Sequence, residues 1–125
     1  MDEGVAAVLA ELGLADCTAT AFRPSYLAPE ARRLALVEPA RLLLGEAALI
    51  ELPATHSLGM AARGALRRLP DYVHVYFHDT DLLDRRRALA LEWALRIIGR
   101  RRRPERLDRL DAEQELEFSA AASGL

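Results

Sequence analysis

The sequence predicts an α/β fold in which a few, mostly parallel strands are covered by helices. Three observations carry that expectation. Helical apolar stripes alternate along the chain with short runs of strand composition, and alternation of this kind implies a mostly parallel sheet whose faces must be covered. The chain has 125 residues, 51% of them hydrophobic, which suits a single core. One long segment, residues 81–99, has the amphipathic pattern of a helix lying on such a sheet. The single domain is expected over residues 1–112, with 113–125 an acidic, frayed tail.

Taken in order, residues 3–12 form a short surface helix with Val5, Val8, Leu9 and Leu12 on one stripe, Asp2 as its N-cap and Gly13 just past its end. Cys17–Phe22 follows as an alanine-weakened strand. Residues 23–38, bounded and interrupted by Pro24, Pro29 and Pro39, form a long connection with a helical turn over 29–36. Ala48–Leu52 is a short apolar strand stopped by Pro53, and residues 55–59 form the loop leaving its C-terminal end. Glu51 on that strand needs exposure or a partner, and the pattern names none.

A brief helix over 61–69 precedes the strand 72–78, after which Asp81 or Asp84 caps the long helix. Leu91, Ala94, Leu95 and Ile98 line its inner side, Trp93 and Ile97 widen the apolar face, and Glu92 with Arg96 makes an outer i,i+4 pair. Gly99 weakens its end, and Pro104 starts a last short helix through Leu110.

The stretch HVYFHDTD, residues 74–81, tests whether His74 and His78 could share a metal. On a helix the spacing would serve, but Tyr72–His78 is almost wholly β-branched or aromatic. On a strand the two imidazoles stand roughly 13 Å apart at a rise of ~3.3 Å per residue, too far for one ion. Alternation puts His74, Tyr76 and His78 on one face, and Val73, Val75 and Phe77 on the other, toward the helices.

Composition excludes several classes. The lone Cys17, read as a buried spectator thiol, rules out an intramolecular disulfide and a multi-cysteine metal site. There is no bilayer-length apolar run and no basic region before the first apolar residues, so the chain as given is expected in the cytoplasm, without a membrane partner. All 17 basic residues are arginines, and residues 84–109 hold ten of them against four acids. The run Arg100–Arg103 could bind phosphates, yet it follows a helix whose C-terminal end favours cations and has no interleaved aromatics to stack on bases. Nucleic acid is therefore not the expected partner.

The order of several pieces resembles the C-terminal part of polysaccharide deacetylases of the NodB-homology type. The pieces are Glu11-Leu12-Gly13, Pro24-Ser25-Tyr26, Leu49-Ile50-Glu51-Leu52-Pro53, and Val75-Tyr76-Phe77-His78 with Asp79, spread over roughly residues 5–110. The resemblance implies a partial (β/α) barrel and a hydrolase of carbon–nitrogen bonds other than peptide bonds, removing acetyl groups from carbohydrates with a divalent metal such as zinc. It implies that His78 acts as general acid at the catalytic mouth, and it puts His56, in the loop leaving the previous strand, near a carbohydrate substrate.

The same resemblance lacks the family's Asp-Asp and His-x-x-x-His metal motifs, and Arg23-Pro24-Ser25 replaces its Arg-x-Pro poorly in spacing and position. No metal or other cofactor is expected on this chain unless an N-terminal half supplies the ligands, and by itself it is expected to be inactive. Alternatives stay open for the residues: His78 as a strand-end histidine bonded to Asp79 or Asp81, His74 as a packed interior histidine, His56 as a plain loop residue. For the whole chain the alternatives are an interaction or remnant domain that self-associates through an uncovered sheet edge, and an arginine-rich phosphate or nucleic-acid binder.

Overall fold

In the computed structural model, which describes residues 3–31 and 33–118, the chain opens on helix α1, Glu3–Glu11. Gly13, at φ +66°, ends it: the N–H of Leu14 reaches the carbonyl of Leu9 at 2.9 Å and that of Gly13 reaches Ala10 at 3.1 Å. These are the paired bonds of a Schellman cap, which needs the left-handed conformation that glycine adopts without a Cβ clash. The face of α1 differs from the expected stripe. Ala6 is fully buried with Leu9 and Ala10 beside it, while Val5, Val8 and Leu12 are half or more exposed. Ala6, Leu9 and Ala10 are themselves an i, i+3, i+4 set, and the small alanines allow the helix close to the sheet.

Strands β1 (Ala40–Leu44) and β2 (Ala47–Glu51) form an antiparallel hairpin in the register Leu44↔Ala47 to Ala40↔Glu51. Its two-residue loop begins with Gly45 at φ +63°, the positive angle that tight hairpins require. β1 lies in a stretch for which no strand was expected, and it corrects the mostly parallel sheet. A further strand, β5 (Gln114–Glu117), pairs parallel to the other edge of β1, giving the order β2-β1-β5. The acidic tail is thus strand over 114–117, because Leu116 and Phe118 alternate onto the core cluster of Ala6, Leu36, Leu42 and Leu49. The expected fraying of 119–125 lies outside the described residues.

The segment expected as a strand at 17–22 makes only isolated parallel bridges, Asp16 to Glu51 and Thr20 to Ala54. Hydrogen bonds give the reason. Leu52 N–H donates to the Asp16 carbonyl at 2.8 Å, but two residues on, Ala54 N–H donates to Ala19 at 2.9 Å, so the outer segment carries one extra residue. That is a bulge. The two N–H groups it displaces turn to side chains: Thr18 donates to Asp16 Oδ2 at 3.1 Å and Ala19 to Glu51 Oε1 at 2.8 Å. Glu51, fully buried, therefore has a structural partner that no pattern shows.

Beyond Pro53 the chain forms β3 (His56–Ser57), parallel to β4 (Val75–Tyr76). Helix α2 (Leu58–Gly64), shorter than the expected 61–69 and earlier, starts at Ser57, whose side chain accepts from Met60 N–H. A 3-10 turn over Asp79–Leu82 leads into α3 (Arg85–Arg101), capped by Asp84 through the Arg87 N–H at 2.9 Å. α3 buries Leu91, Ala94 and Ile98, and of these Ala94 and Ile98 pack with Ala61, Ala65 and Leu69, with Val73 and Val75 alongside. Leu95 and Trp93, expected inside, are 53% and 41% exposed, and Phe77 is 43% exposed. The small residues of α2 admit only a narrow stripe of α3. Instead of the expected helical turn, residues 29–30 form a turn and the described residues 31 and 33–36 carry no regular structure, and Leu107–Arg109 is a single 3-10 turn.

Both sheets are open, and among the described residues no barrel closes. The fold is mixed α/β with small sheets. No helix is long and apolar enough to cross a membrane among these residues.

Candidate functional site

A cleft of about 430 Å³ opens where the C-terminal ends of β3 and β4 meet the loop after Phe22, within the range of ordinary ligand sites. Three parts of the chain build it. The loop contributes Phe22 and Tyr26, the start of α2 contributes Gly59 and Arg63, and the end of β4 contributes Tyr76 and His78, backed by Asp81 and Arg87. Phe22 stacks on Tyr76 with centroids 6.3 Å apart, fixing the loop against the strand. Arg23 holds the loop closed, its terminal nitrogens donating to the carbonyls of Ala28 and Ala31 at 2.8 and 3.0 Å.

His78 is exposed on the cleft wall. Its Nε2 lies 3.1 Å from the Tyr76 hydroxyl, and the two rings meet edge to face with centroids 5.1 Å apart. Burial, then the nearby Tyr26 and Asp81, pushes the Tyr76 phenol up, so that it keeps its proton at neutral pH. Of the two expected carboxylate partners, Asp81 reaches not the imidazole but the backbone: its Oδ2 accepts from His78 N–H at 3.0 Å. Its Oδ1 pairs with Arg87 Nε at 2.8 Å, tying the strand end to the first turn of α3. Asp79 accepts only from the Thr80 N–H beside it.

His56 and His74 do not line this cleft. His56 Nδ1 is 2.8 Å from Thr55 Oγ1, and burial moves the imidazole down, favouring its neutral form. Thr55 Oγ1 also accepts from His74 N–H at 2.8 Å, so the hydroxyl joins the two strands. His74 contacts the Tyr72 hydroxyl at 3.1 Å, a packed side chain as one sequence reading had it.

A second group of acids sits away from the cleft. Burial and the Asp16 carboxylate push Glu51 up to about 8, so it is protonated at neutral pH. Burial would raise Asp16 as well, but hydrogen bonding with Glu51 and Thr18 outweighs it and holds that carboxyl below its ordinary value. Cys17, expected buried, is exposed, and its thiol is pushed up by partial covering and by the charges of Glu51 and Asp16. It lacks the electropositive surroundings of a nucleophile.

Among the described residues no three His, Cys, Asp or Glu side chains converge as metal ligands. The donors among the described residues are thus not gathered into a ligand set for the divalent ion that the deacetylase resemblance implies. The arginine run serves the fold: Arg101 donates to the carbonyls of Ala65 and Arg67, and Arg102 to those of Leu69 and Pro70. Comparison of the chain with family models, with curated proteins and with solved structures finds no match.

Sequence reasoning missed Arg63 and Arg87 as neighbours of His78. Nothing local signals either, because the cleft brings together residues 22–26, 57–63 and 76–87 through tertiary packing. Tyr26 was visible as part of Pro24-Ser25-Tyr26.

Proposed function

We propose that the chain forms one wall of a carbohydrate deacetylase cleft, holding a sugar on its aromatic side chains and protonating the leaving group through His78. The observation that carries this reading is the position of His78 two residues past the C-terminal end of the short parallel strand β4, on a cleft wall, with its ring against the Tyr76 hydroxyl and its backbone held by buried Asp81. Strand ends of this kind are where α/β folds and (β/α) barrels keep their chemistry. The parallel pairing of β3 with β4 under α2 and α3 supports a segment of a (β/α) barrel as the finer architecture.

Tyr26, 76% exposed, and Tyr76 offer flat apolar rings with polar tips, suited to the mixed faces of a pyranose. As general acid, a protonated imidazole at this position gives its proton to the departing sugar nitrogen or oxygen as the acyl group leaves. No step is drawn through a metal, since the residues present do not assemble its ligands. A metal-binding part, if one joins this cleft, would come from other residues.

The test is acetate release from N-acetylated oligosaccharides by the chain joined to a metal-binding deacetylase half. His78→Ala is expected to cut the rate by about 10²–10⁴, the usual contribution of a general acid, while leaving oligosaccharide affinity within about twofold. Unchanged turnover in His78→Ala would sink the assignment.

The free outer edge of β5 supports a second reading, self-association by strand addition, since β5 pairs only with β1 among the described residues. Sedimentation would separate the two: a monomer at all concentrations excludes it.

A further inference from the structure

We infer that the cleft selects an anionic glycan, one carrying a carboxylate or phosphate beside the bound sugar ring, and that Arg63 reads the anion; the inference rests on the carbohydrate reading above. Three cations line the cleft, Arg23, Arg63 and Arg87, against the single carboxylate of Asp81. Their situations differ. Arg87 is compensated by Asp81, and Arg23 gives its terminal nitrogens to two loop carbonyls. Arg63 has neither an ion pair nor a hydrogen bond among the described residues, although it borders the same cavity.

Its position is built by sequence. Arg63 stands four residues after Gly59 on α2, and a Cβ at Gly59 would lie 3.1 Å from the Arg63 guanidinium. Glycine there leaves room for the exposed guanidinium to fold back on the first turn of the helix, at the rim of the cavity. A planar guanidinium without a protein acceptor matches a carboxylate or phosphate with two parallel hydrogen bonds. A neutral sugar would leave that cation and the excess charge of the cleft unanswered. In a partly enclosed site such charge is screened less than on an open surface.

The test is a titration of the whole chain, followed by NMR, with three probes at low salt. They are a tetrasaccharide alternating N-acetylglucosamine with glucuronate, the neutral N-acetylglucosamine tetrasaccharide, and inorganic phosphate. The acidic tetrasaccharide is expected to bind about tenfold more tightly than the neutral one, as for one charge-assisted contact. That preference is expected to vanish in Arg63→Gln, while Tyr26→Ala weakens both sugars alike. Inorganic phosphate should bind more weakly than the acidic sugar. Equal affinity of the two tetrasaccharides, unaltered by Arg63→Gln, overturns the anion preference and leaves the carbohydrate cleft standing. Phosphate binding without either sugar, or no binding of any probe, overturns both.

Discussion

Replacing Glu51 by Gln keeps the shape of a fully buried side chain and removes its ionisable proton, which turns an unusual acid into a measurable slope. The folded protein holds Glu51 at about 8 against an ordinary value of 4.5. The folded pKa is the higher one, so the favourable contribution is complete below about pH 4.5 and is lost as the pH rises through about 8. At 1.36 kcal/mol per pKa unit, the wild type should lose up to about 5 kcal/mol across that window, of which roughly 3 kcal/mol is gone by pH 7. Asp16 shifts in the opposite direction and acts below its ordinary 3.8, outside the window. A glutamine amide oxygen accepts from Ala19 N–H as the acid does, so the bulge keeps its side-chain acceptor. The assay is the urea midpoint of both proteins at pH 5, 6, 7 and 8. Wild type should fall steadily relative to Glu51→Gln and be overtaken by it at pH 8, since the depressed His56 adds the same slope to both proteins. Parallel curves for the two proteins would refute a buried protonated Glu51 as the source.

Other perturbations address the frame of the cleft and the caps. Asp81→Ala removes the acceptor of His78 N–H and should cost roughly 1–3 kcal/mol, with faster amide exchange at His78. Asp81→Asn should cost less than about 1 kcal/mol, because the Arg87 partner it weakens is more than half exposed. Gly13→Ala meets no atom within 4 Å but must hold φ +66°, so a loss of about 1–2 kcal/mol by urea denaturation is expected. Gly99→Ala, also without a neighbour and without a positive φ, should instead gain up to about 1 kcal/mol in α3.

Sequence alone determined what depends on neighbours along the chain. The existence of α3 with Asp84 as one of its two candidate caps, the Gly13 stop, and the inward Val73 and Val75 follow from local periodicity and turn chemistry, whereas the strand expected over 72–78 pairs only at Val75–Tyr76. Local pattern also showed that His74 and His78 do not make a pair, since strand spacing separates them. Tertiary structure decided what depends on contacts between distant segments. β1 and β5 read as connection and acidic tail because strand formation there comes from pairing with each other and from the core under Leu42 and Leu116, not from propensity. α1 turns Ala6 inward because close approach to the sheet outweighs the larger Val5 and Val8. Glu51 is tolerated inside because one extra residue in the facing segment frees the Ala19 N–H that it accepts. The cleft itself exists only where three separated segments meet, which is why its histidine was legible and its arginines were not.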